Sequence, residues 1–181
     1  MKVRFVGSFL ENFPCDGRKH AVFVGRSNVG KSSLINMLVG QKVAKVSKEP
    51  GRTRAINFFL LEDQGIYLVD LPGYGFAKVS KVERERWRAV IDAYFRTCKD
   101  DIKVVFLLID CVVGPTELDL QALDWLKALG IRCVLTLTKC DRATQEDINK
   151  TIKSLGQNKE IVITSSKEGR GKKDVLSYVL N

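Results

Sequence analysis

One eight-residue loop constrains the fold of this chain more than any other feature. Residues 25–32 read GRSNVGKS and match the phosphate-binding pattern G-x-x-x-x-G-K-[ST]. An apolar run at 21–24 precedes the loop, and a helical pattern at 33–38 follows it. Glycines at 25 and 30 let the backbone wrap around a phosphate, and the helix N-terminus adds positive potential. We expect Lys31 to reach the β and γ phosphates and the Ser32 hydroxyl to ligate Mg²⁺; the alternative is a glycine-rich turn that binds nothing.

A second motif indicates which base the nucleotide carries. Residues 138–141 read TKCD and follow the apolar run 131–137, so they lie at the carboxyl end of a predicted strand. Asp141 can accept hydrogen bonds from the N1–H and the exocyclic amine of guanine, whereas adenine offers no such donor pair. The stem of Lys139 would lie along the base. Taken alone, the four residues also fit a solvated loop.

Two further motifs follow predicted strands. Asp70 ends the run 66–69, where it can hold Mg²⁺ through water, and Gly73 can sense a γ-phosphate through its N–H. Residues 164–166 end the run 161–163, and the N–H of Ser166 can donate to guanine O6. Taken singly, these motifs also fit a turn and a helix cap. Four motifs in this order, each at a strand end, indicate a GTP-binding protein.

The hydrophobic pattern predicts an α/β fold. Strands are predicted at 20–24, 55–61, 66–69, 104–109, 131–137 and 160–163, and helices at 31–38, 82–96, 117–129, 145–155 and 172–179. The tight turn at 63–65 makes the second and third strands an antiparallel hairpin. The expected architecture is a three-layer P-loop GTPase fold, with a mostly parallel six-stranded sheet, one antiparallel edge strand and helices on both faces. Residues 20–181 form this domain, and residues 1–19 form an extension in which 3–6 can add an edge strand.

Residues 41–54, between the first helix and the second strand, are expected to form a mobile loop. Thr53 is the one well-placed hydroxyl before the next strand, so it can close on Mg²⁺ when a γ-phosphate is present. Residues 70–79 would be the second moving segment. The alternative is that the first loop merely connects its neighbours.

Composition places the chain among single-domain proteins of a reducing compartment. It has 181 residues and no apolar run that approaches the roughly 20 residues of a membrane span. Its five cysteines are odd in number and include no C-x-x-C pair, which predicts buried free thiols and a cytoplasmic location. We expect a monomer that makes no membrane contact.

Charge favours an anionic partner. The formal net charge is +9, a value typical of nucleic-acid-binding proteins. The excess falls in three clusters: Lys42, Lys45, Lys48, Arg52 and Arg54; Lys78, Lys81, Arg84, Arg86 and Arg88; and Lys167, Arg170, Lys172 and Lys173. Two of the clusters lie on segments expected to respond to nucleotide, so GTP would gate RNA affinity. The alternative is a solvated basic face that serves solubility.

The motifs GRSNVGKSSLIN, PGRTRAINFF, DLPGYGFAKV, TKCD and TSSKEGRG resemble those of the EngB (YihA or YsxC) family of TRAFAC-class bacterial GTPases. The resemblance spans nearly the whole chain from His20 onward, and Cys140 stands where an alanine is common. It implies a role in large ribosomal subunit assembly and in normal cell division and septation. It places Mg²⁺ on Ser32 and Thr53, and nucleotide contacts on Gly25, Arg26, Ser27, Asn28, Val29, Gly30, Lys31, Ser32, Gly51, Arg52, Thr53, Arg54, Ala55, Asp70, Leu71, Pro72, Gly73, Thr138, Lys139, Cys140, Asp141, Thr164, Ser165 and Ser166.

Catalysis departs from the common GTPase pattern. Many GTPases place a glutamine directly after the D-x-x-G glycine to orient the attacking water, and this chain has Tyr74 there. Slow hydrolysis is therefore expected, with Lys31 stabilising charge and with help from K⁺, Arg52, Arg54 or the ribosome. Asn28 is a candidate K⁺ ligand by analogy with related GTPases; the alternative is that it only pins its loop.

Three functions stay open at this point. The first is a GTP switch in ribosome assembly. The second is a P-loop nucleotide kinase or ATPase, against which the TKCD motif argues. The third is an RNA-binding module with a non-catalytic nucleotide pocket, against which the four intact motifs argue.

Overall fold

The structure is a computed structural model and describes residues 1–45, 55–75, 79–157 and 159–181. Over these ranges the chain forms strands and helices in the alternation expected from the sequence. The strands are β1 (Val3–Phe9), β2 (His20–Gly25), β3 (Ile56–Leu61), β4 (Ile66–Asp70), β5 (Ile102–Asp110), β6 (Cys133–Thr138) and β7 (Glu160–Ile163). The α-helices are α1 (Lys31–Val39), α2 (Lys81–Cys98), α3 (Glu117–Ala128), α4 (Gln145–Ser154) and α5 (Lys172–Leu180).

The seven strands form one mixed sheet in the order β1-β3-β4-β2-β5-β6-β7. β4, β2, β5, β6 and β7 are parallel, and β3 is antiparallel to both of its neighbours. The six strands expected from residue 20 onward are all present. Residues Val3–Phe9 add the seventh outside β3, so the antiparallel strand of the hairpin lies one place in from the edge.

Apolar layers cover both faces of the sheet. On one face Leu34 and Leu38 of α1 pack with Val175 of α5, and on the other Tyr94 of α2 packs with Leu126 of α3. β5 runs between the layers and its residues 104–109 are all buried. A continuous apolar run is what a central parallel strand requires, because neither of its faces meets water. The three-layer prediction is confirmed.

Two of the helices begin at reciprocal capping boxes. Thr116 accepts a hydrogen bond from the N–H of Asp119, while the Asp119 carboxylate accepts one from the N–H of Thr116. Thr144 and Asp147 repeat the arrangement at α4. Each box satisfies two backbone donors that a helix start leaves unpaired, which fixes where α3 and α4 begin.

The N-terminal extension contacts two parts of the domain. Its strand β1 pairs with β3 from Val3 opposite Leu61 to Phe9 opposite Ile56, with a register shift between Phe5 and Gly7. The following segment packs against the C-terminal half of α2, where Phe13 meets Tyr94 edge to face. The extension therefore belongs to the folded domain rather than trailing from it.

Buried His20 joins the extension to α2 by hydrogen bonds. Its Nδ1 lies 2.7 Å from the Tyr94 hydroxyl, and its Nε2 lies 3.0 Å from the Pro14 carbonyl oxygen. Burial lowers the pKa of His20, which favours the neutral imidazole. A neutral ring that donates to Pro14 and accepts from Tyr94 satisfies both of its nitrogens.

The prediction that all five cysteines are free is wrong for two of them. Cys15 in the extension and Cys98 at the end of α2 form a disulfide, with Cα atoms 5.3 Å apart. Cys111, Cys133 and Cys140 are free, as expected. The pairing escaped the sequence because the two residues are 83 positions apart and no local pattern links them. Disulfides are rare in cytosolic proteins, although intracellular proteins of hyperthermophiles are an exception.

Removing this disulfide is expected to lower thermal stability. A loop of 83 residues closed in the unfolded chain corresponds to roughly 4–5 kcal/mol in the chain-entropy model. Removing a native disulfide typically costs roughly 2–5 kcal/mol, so Cys15→Ser should lower Tm by roughly 10 °C in a domain of this size. The measurement is thermal unfolding with and without a reductant.

Cys133→Ser is the matched control, because Cys133 is a free and only partly buried thiol. The control should respond to reductant as the wild type does, whereas Cys15→Ser should not respond. A wild-type Tm that is the same in both conditions would contradict a stabilising disulfide.

Candidate nucleotide-binding site

The phosphate loop connects β2 to α1 at the carboxyl edge of the sheet. Gly25 ends β2 against β5, where an added Cβ would lie 3.0 Å from the Leu108 carbonyl oxygen. Gly30 precedes α1 with φ 102°, a conformation that L side chains rarely adopt, and it provides no side-chain cap. The N–H groups of the first turn of α1 are thus not satisfied by a capping side chain, as an anion site at a helix start requires.

The D-x-x-G loop packs directly on the phosphate loop. A Cβ at Gly73 would lie 2.9 Å from the Cα of Ser27, so no larger residue fits there without a shift. Beneath this contact the Ser27 hydroxyl is buried and has no hydrogen-bond partner among the described residues. Buried hydroxyls are normally paired, so a ligand oxygen would supply the missing partner. The unpaired Ser27 hydroxyl and the close approach of Gly73 to Ser27 both fit a site for a phosphate group.

Lys31 and Asp70 contact each other through ammonium and carboxylate, and both side chains are largely buried. Ser32 follows Lys31 in the first turn of α1. Hydroxyl and carboxylate oxygens are ligands that Mg²⁺ prefers, so Ser32 and Asp70 fit the predicted metal. Leu71 contributes its side chain to the core and its N–H to the Phe23 carbonyl, so its link to a nucleotide stays a prediction.

The TKCD motif is tied to the phosphate loop by two hydrogen bonds. The Thr138 hydroxyl donates to the Val29 carbonyl at 2.7 Å, and the Lys139 ammonium donates to the Asn28 carbonyl at 2.7 Å. Lys139 has φ 58° and lies 3.8 Å from a carboxylate oxygen of Asp110. The two motifs expected to hold base and phosphates are therefore one connected unit.

Asp141 is oriented by the last motif. The Ser165 hydroxyl donates to its carboxylate at 2.9 Å, and this bond lowers the pKa of Asp141. The Cys140 N–H donates to the Thr164 carbonyl, and Thr164 bonds back to the Leu137 carbonyl through its N–H and its hydroxyl. Ser166 follows, half-buried. The carboxylate is thus ionised at neutral pH and held in place, which is what recognition of two guanine donors requires.

The two thiols near this motif are unreactive at neutral pH. Cys140 and Cys111 are both buried, and burial raises both pKa values, that of Cys111 to about 12. Both thiols are therefore protonated at neutral pH and act as small apolar groups.

The side chain of Tyr74 packs against α2 and α3 rather than facing the phosphate loop. Its ring contacts Trp87 of α2 at 6.3 Å between centroids, and its hydroxyl donates to Asp119 of α3 at 2.5 Å. Burial, followed by this bond, raises the pKa of Tyr74 above its ordinary value, so the phenol stays protonated. The sequence analysis did not identify Asp119 as a site residue. Its only local signal is its place in the capping box of α3, and no sequence pattern links it to Tyr74.

Some predicted site residues lie outside the described ranges. Gly51, Arg52, Thr53 and Arg54 are among them, together with the Mg²⁺ role of Thr53 and residues 46–54 of the first mobile loop. Ala55 is described, half-buried, directly before β3. The second predicted moving segment is described except for residues 76–78. Arg26 pairs with Tyr74 through an isolated parallel β-bridge.

The fold and the four motifs define a P-loop GTPase, and comparison with known proteins agrees. A family model described as "50S ribosome-binding GTPase" matches residues 20–139. A probable GTP-binding protein EngB of Aquifex aeolicus is 55% identical over 184 residues, covering all of both chains. Another from Petrotoga mobilis is 44% identical, covering 94% of this chain and 89% of the relative. The chain therefore belongs to the EngB family of GTP-binding proteins.

A solved structure supports the same assignment. The crystal structure of a probable GTP-binding protein engB superposes with a TM-score of 0.73 at 26% identity, covering 88% of this chain and 96% of the other. Among the described residues, no helix combines the length and apolar character needed to cross a lipid bilayer.

Proposed function

We propose that this GTPase is a nucleotide-dependent switch that binds the large ribosomal subunit during its assembly in the cytoplasm. It acts as a monomer, hydrolyses GTP slowly, and supports cell division and septation through the supply of ribosomes. The observation that carries the proposal is the exposed basic half of α2, which begins a few residues beyond Gly73. The wording of the matching family model, which names the 50S ribosome, agrees with this partner.

The first six residues of α2 lie outside the core. Tyr94, Phe95 and Cys98 are the buried residues of this helix, whereas residues 81–86 are all exposed. Four exposed cations lie here: Lys81, Arg84, Arg86 and Arg88. None of the four forms an ion pair within the part of the chain that the structure describes. Cations without internal partners are available to neutralise RNA phosphates.

The other two basic clusters are described only in part. Lys42 and Lys45 are exposed on the segment that follows α1, and Lys167 and Arg170 are exposed next to the Thr164–Ser166 motif. Lys48, Arg52, Arg54 and Lys78, expected in these clusters, lie outside the described residues. Of these cations, Lys167 and Arg170 are therefore the ones next to a nucleotide motif, whereas Lys42 and Lys45 lie past the far end of α1.

The proposed chemistry rests on charge stabilisation rather than on a positioned water. Lys31 provides a largely buried positive charge beside the phosphate loop, where negative charge develops at the β–γ bridge. Bound Mg²⁺ would supply further positive charge, held by Ser32 and, through water, by Asp70. Tyr74 has its hydroxyl bonded to Asp119 and has no carboxamide, so no side chain at that position orients the attacking water. Slow intrinsic hydrolysis follows.

We propose that K⁺ stimulates GTP hydrolysis and that Asn28 is one of its ligands. Asn28 has φ 65°, is exposed, and gives its carbonyl to Lys139. The bond to its backbone carbonyl is compatible with the alternative that Asn28 pins the loop, whereas its carboxamide makes no hydrogen bond within the described ranges. A monovalent cation here would add positive charge where an arginine finger otherwise does.

Binding to purified large subunits is expected to depend on salt and on nucleotide. If about five phosphates are contacted, affinity should fall roughly 10²- to 10³-fold between 50 and 200 mM salt. Binding should be tighter with a non-hydrolysable GTP analogue than with GDP. Co-sedimentation over a salt series, in both nucleotide states, measures the two effects.

The triple change Arg84→Gln, Arg86→Gln and Arg88→Gln tests the α2 surface. It should reduce the slope of log affinity against log salt by about three. The control is the triple change Lys127→Gln, Lys150→Gln and Lys153→Gln. It removes one exposed charge from the C-terminal end of α3 and two from α4. Equal slopes for the two variants, or equal binding in both nucleotide states, would argue for a solvated basic face instead.

A further inference from the structure

Tyr74 and Asp119 form a buried contact between the D-x-x-G loop and α3. Tyr74 is 8% exposed and Asp119 is 2% exposed, and the hydroxyl and carboxylate oxygens are 2.5 Å apart. Asp119 is already fixed by the capping box with Thr116, so it is a rigid acceptor. The Trp87 ring on α2 contacts the Tyr74 ring at 6.3 Å between centroids. The side chain of Tyr74 is thereby held between two helices.

The backbone of the same residue is held to the phosphate loop. The Ser27 N–H donates to the Tyr74 carbonyl at 2.8 Å, and the Tyr74 N–H donates to the Gly25 carbonyl at 3.2 Å. These bonds continue the parallel pairing of β2 and β4 beyond the strand ends through the bridge between Arg26 and Tyr74. Gly73, the residue before Tyr74, is consequently pressed against Ser27.

We propose that the hydrogen bond between Tyr74 and Asp119 is a positioning contact that sets the discrimination between GTP and GDP. Gly73 is expected to sense the γ-phosphate through its N–H, and GDP lacks that group. A loop already fixed beside the phosphate loop has less conformational entropy to lose when the γ-phosphate binds. Tyr74 thus acts through Gly73 without contacting the nucleotide itself. The inference rests on GTP binding at the four motifs.

Tyr74→Phe is the direct test, because it keeps the ring against Trp87 and removes only the hydroxyl. We expect affinity for a non-hydrolysable GTP analogue to fall about fivefold to tenfold, an effect the size of one ordinary hydrogen bond. Affinity for GDP should stay within about twofold, because GDP makes no γ-phosphate contact. Titration of both nucleotides on the same preparation gives the ratio, which a general loss of stability would not change.

Tyr67→Phe is the matched control, since the Tyr67 hydroxyl also donates to an aspartate, Asp16, at 2.7 Å. It should leave the nucleotide ratio unchanged. Adding Asp119→Ala to Tyr74→Phe should change the ratio no further, because both substitutions break one contact.

Three results would overturn the positioning role: equal losses for both nucleotides, no loss, or a gain for the analogue. A wild-type protein that binds neither nucleotide would instead refute the proposed function, so the two failures are distinguishable.

Discussion

Asp141→Asn is expected to weaken GDP binding by roughly 10²- to 10⁴-fold, because two hydrogen bonds to a charged acceptor contribute roughly 1.5–3 kcal/mol each. The same variant should gain affinity for xanthosine diphosphate, whose exocyclic oxygen suits an amide donor. Ser165 holds the carboxylate of Asp141 in place and lowers its pKa, so the wild-type acceptor is charged and oriented. Competitive titration with the two nucleotides measures the exchange of specificity.

Asp63→Asn is the control for this change. Asp63 is exposed in the turn between β3 and β4, away from the four motifs. It should leave both affinities unaltered. Unchanged GDP affinity in Asp141→Asn would remove the residue from the base site, and a loss without any gain for the xanthosine nucleotide would indicate a structural role only.

GTP turnover is expected to be faster in KCl than in NaCl at equal ionic strength, by at least about tenfold. An arginine finger in the same position contributes roughly 10³- to 10⁵-fold, which bounds what one positive charge can supply. Asn28→Ala should abolish the difference between the salts. Single-turnover hydrolysis in the two salts, with saturating Mg²⁺, is the measurement.

Asn149→Ala is the matched control, as Asn149 is an exposed residue of α4. It should keep the full response to K⁺. Hydrolysis that is indifferent to K⁺ in the wild type would end the proposal, and stimulation that survives in Asn28→Ala would assign the ion to other ligands.

Sequence alone predicted the fold well because its strands carry strong local signals. β5 is a continuous apolar run, and the actual strand begins only two residues earlier than the expected one. α3 and α4 begin at the expected residues, 117 and 145, since each capping box is formed by residues only three positions apart in the sequence. The sequence predicted β1 only to residue 6, whereas the strand continues to residue 9. Its signal is weaker because half-exposed edge residues show little apolar periodicity.

The candidate site was predictable only where its residues are close in sequence. The phosphate loop and the TKCD motif are each contiguous, so a pattern identifies them. The bond between Tyr74 and Asp119 joins residues 45 positions apart, and the disulfide joins residues 83 positions apart. Such pairs depend on how helices stack on the sheet, which no local propensity encodes.

The extension also has a consequence for the order in which the protein is made. β1 is synthesised before its partner β3, which lies some fifty residues later, and Cys15 is synthesised 83 residues before Cys98. Contacts so distant along the chain form late, because a long loop must close before they contribute. β1 is thus synthesised before β3 but pairs with it late in folding, and until then the outer edge of β3 is open to other strands.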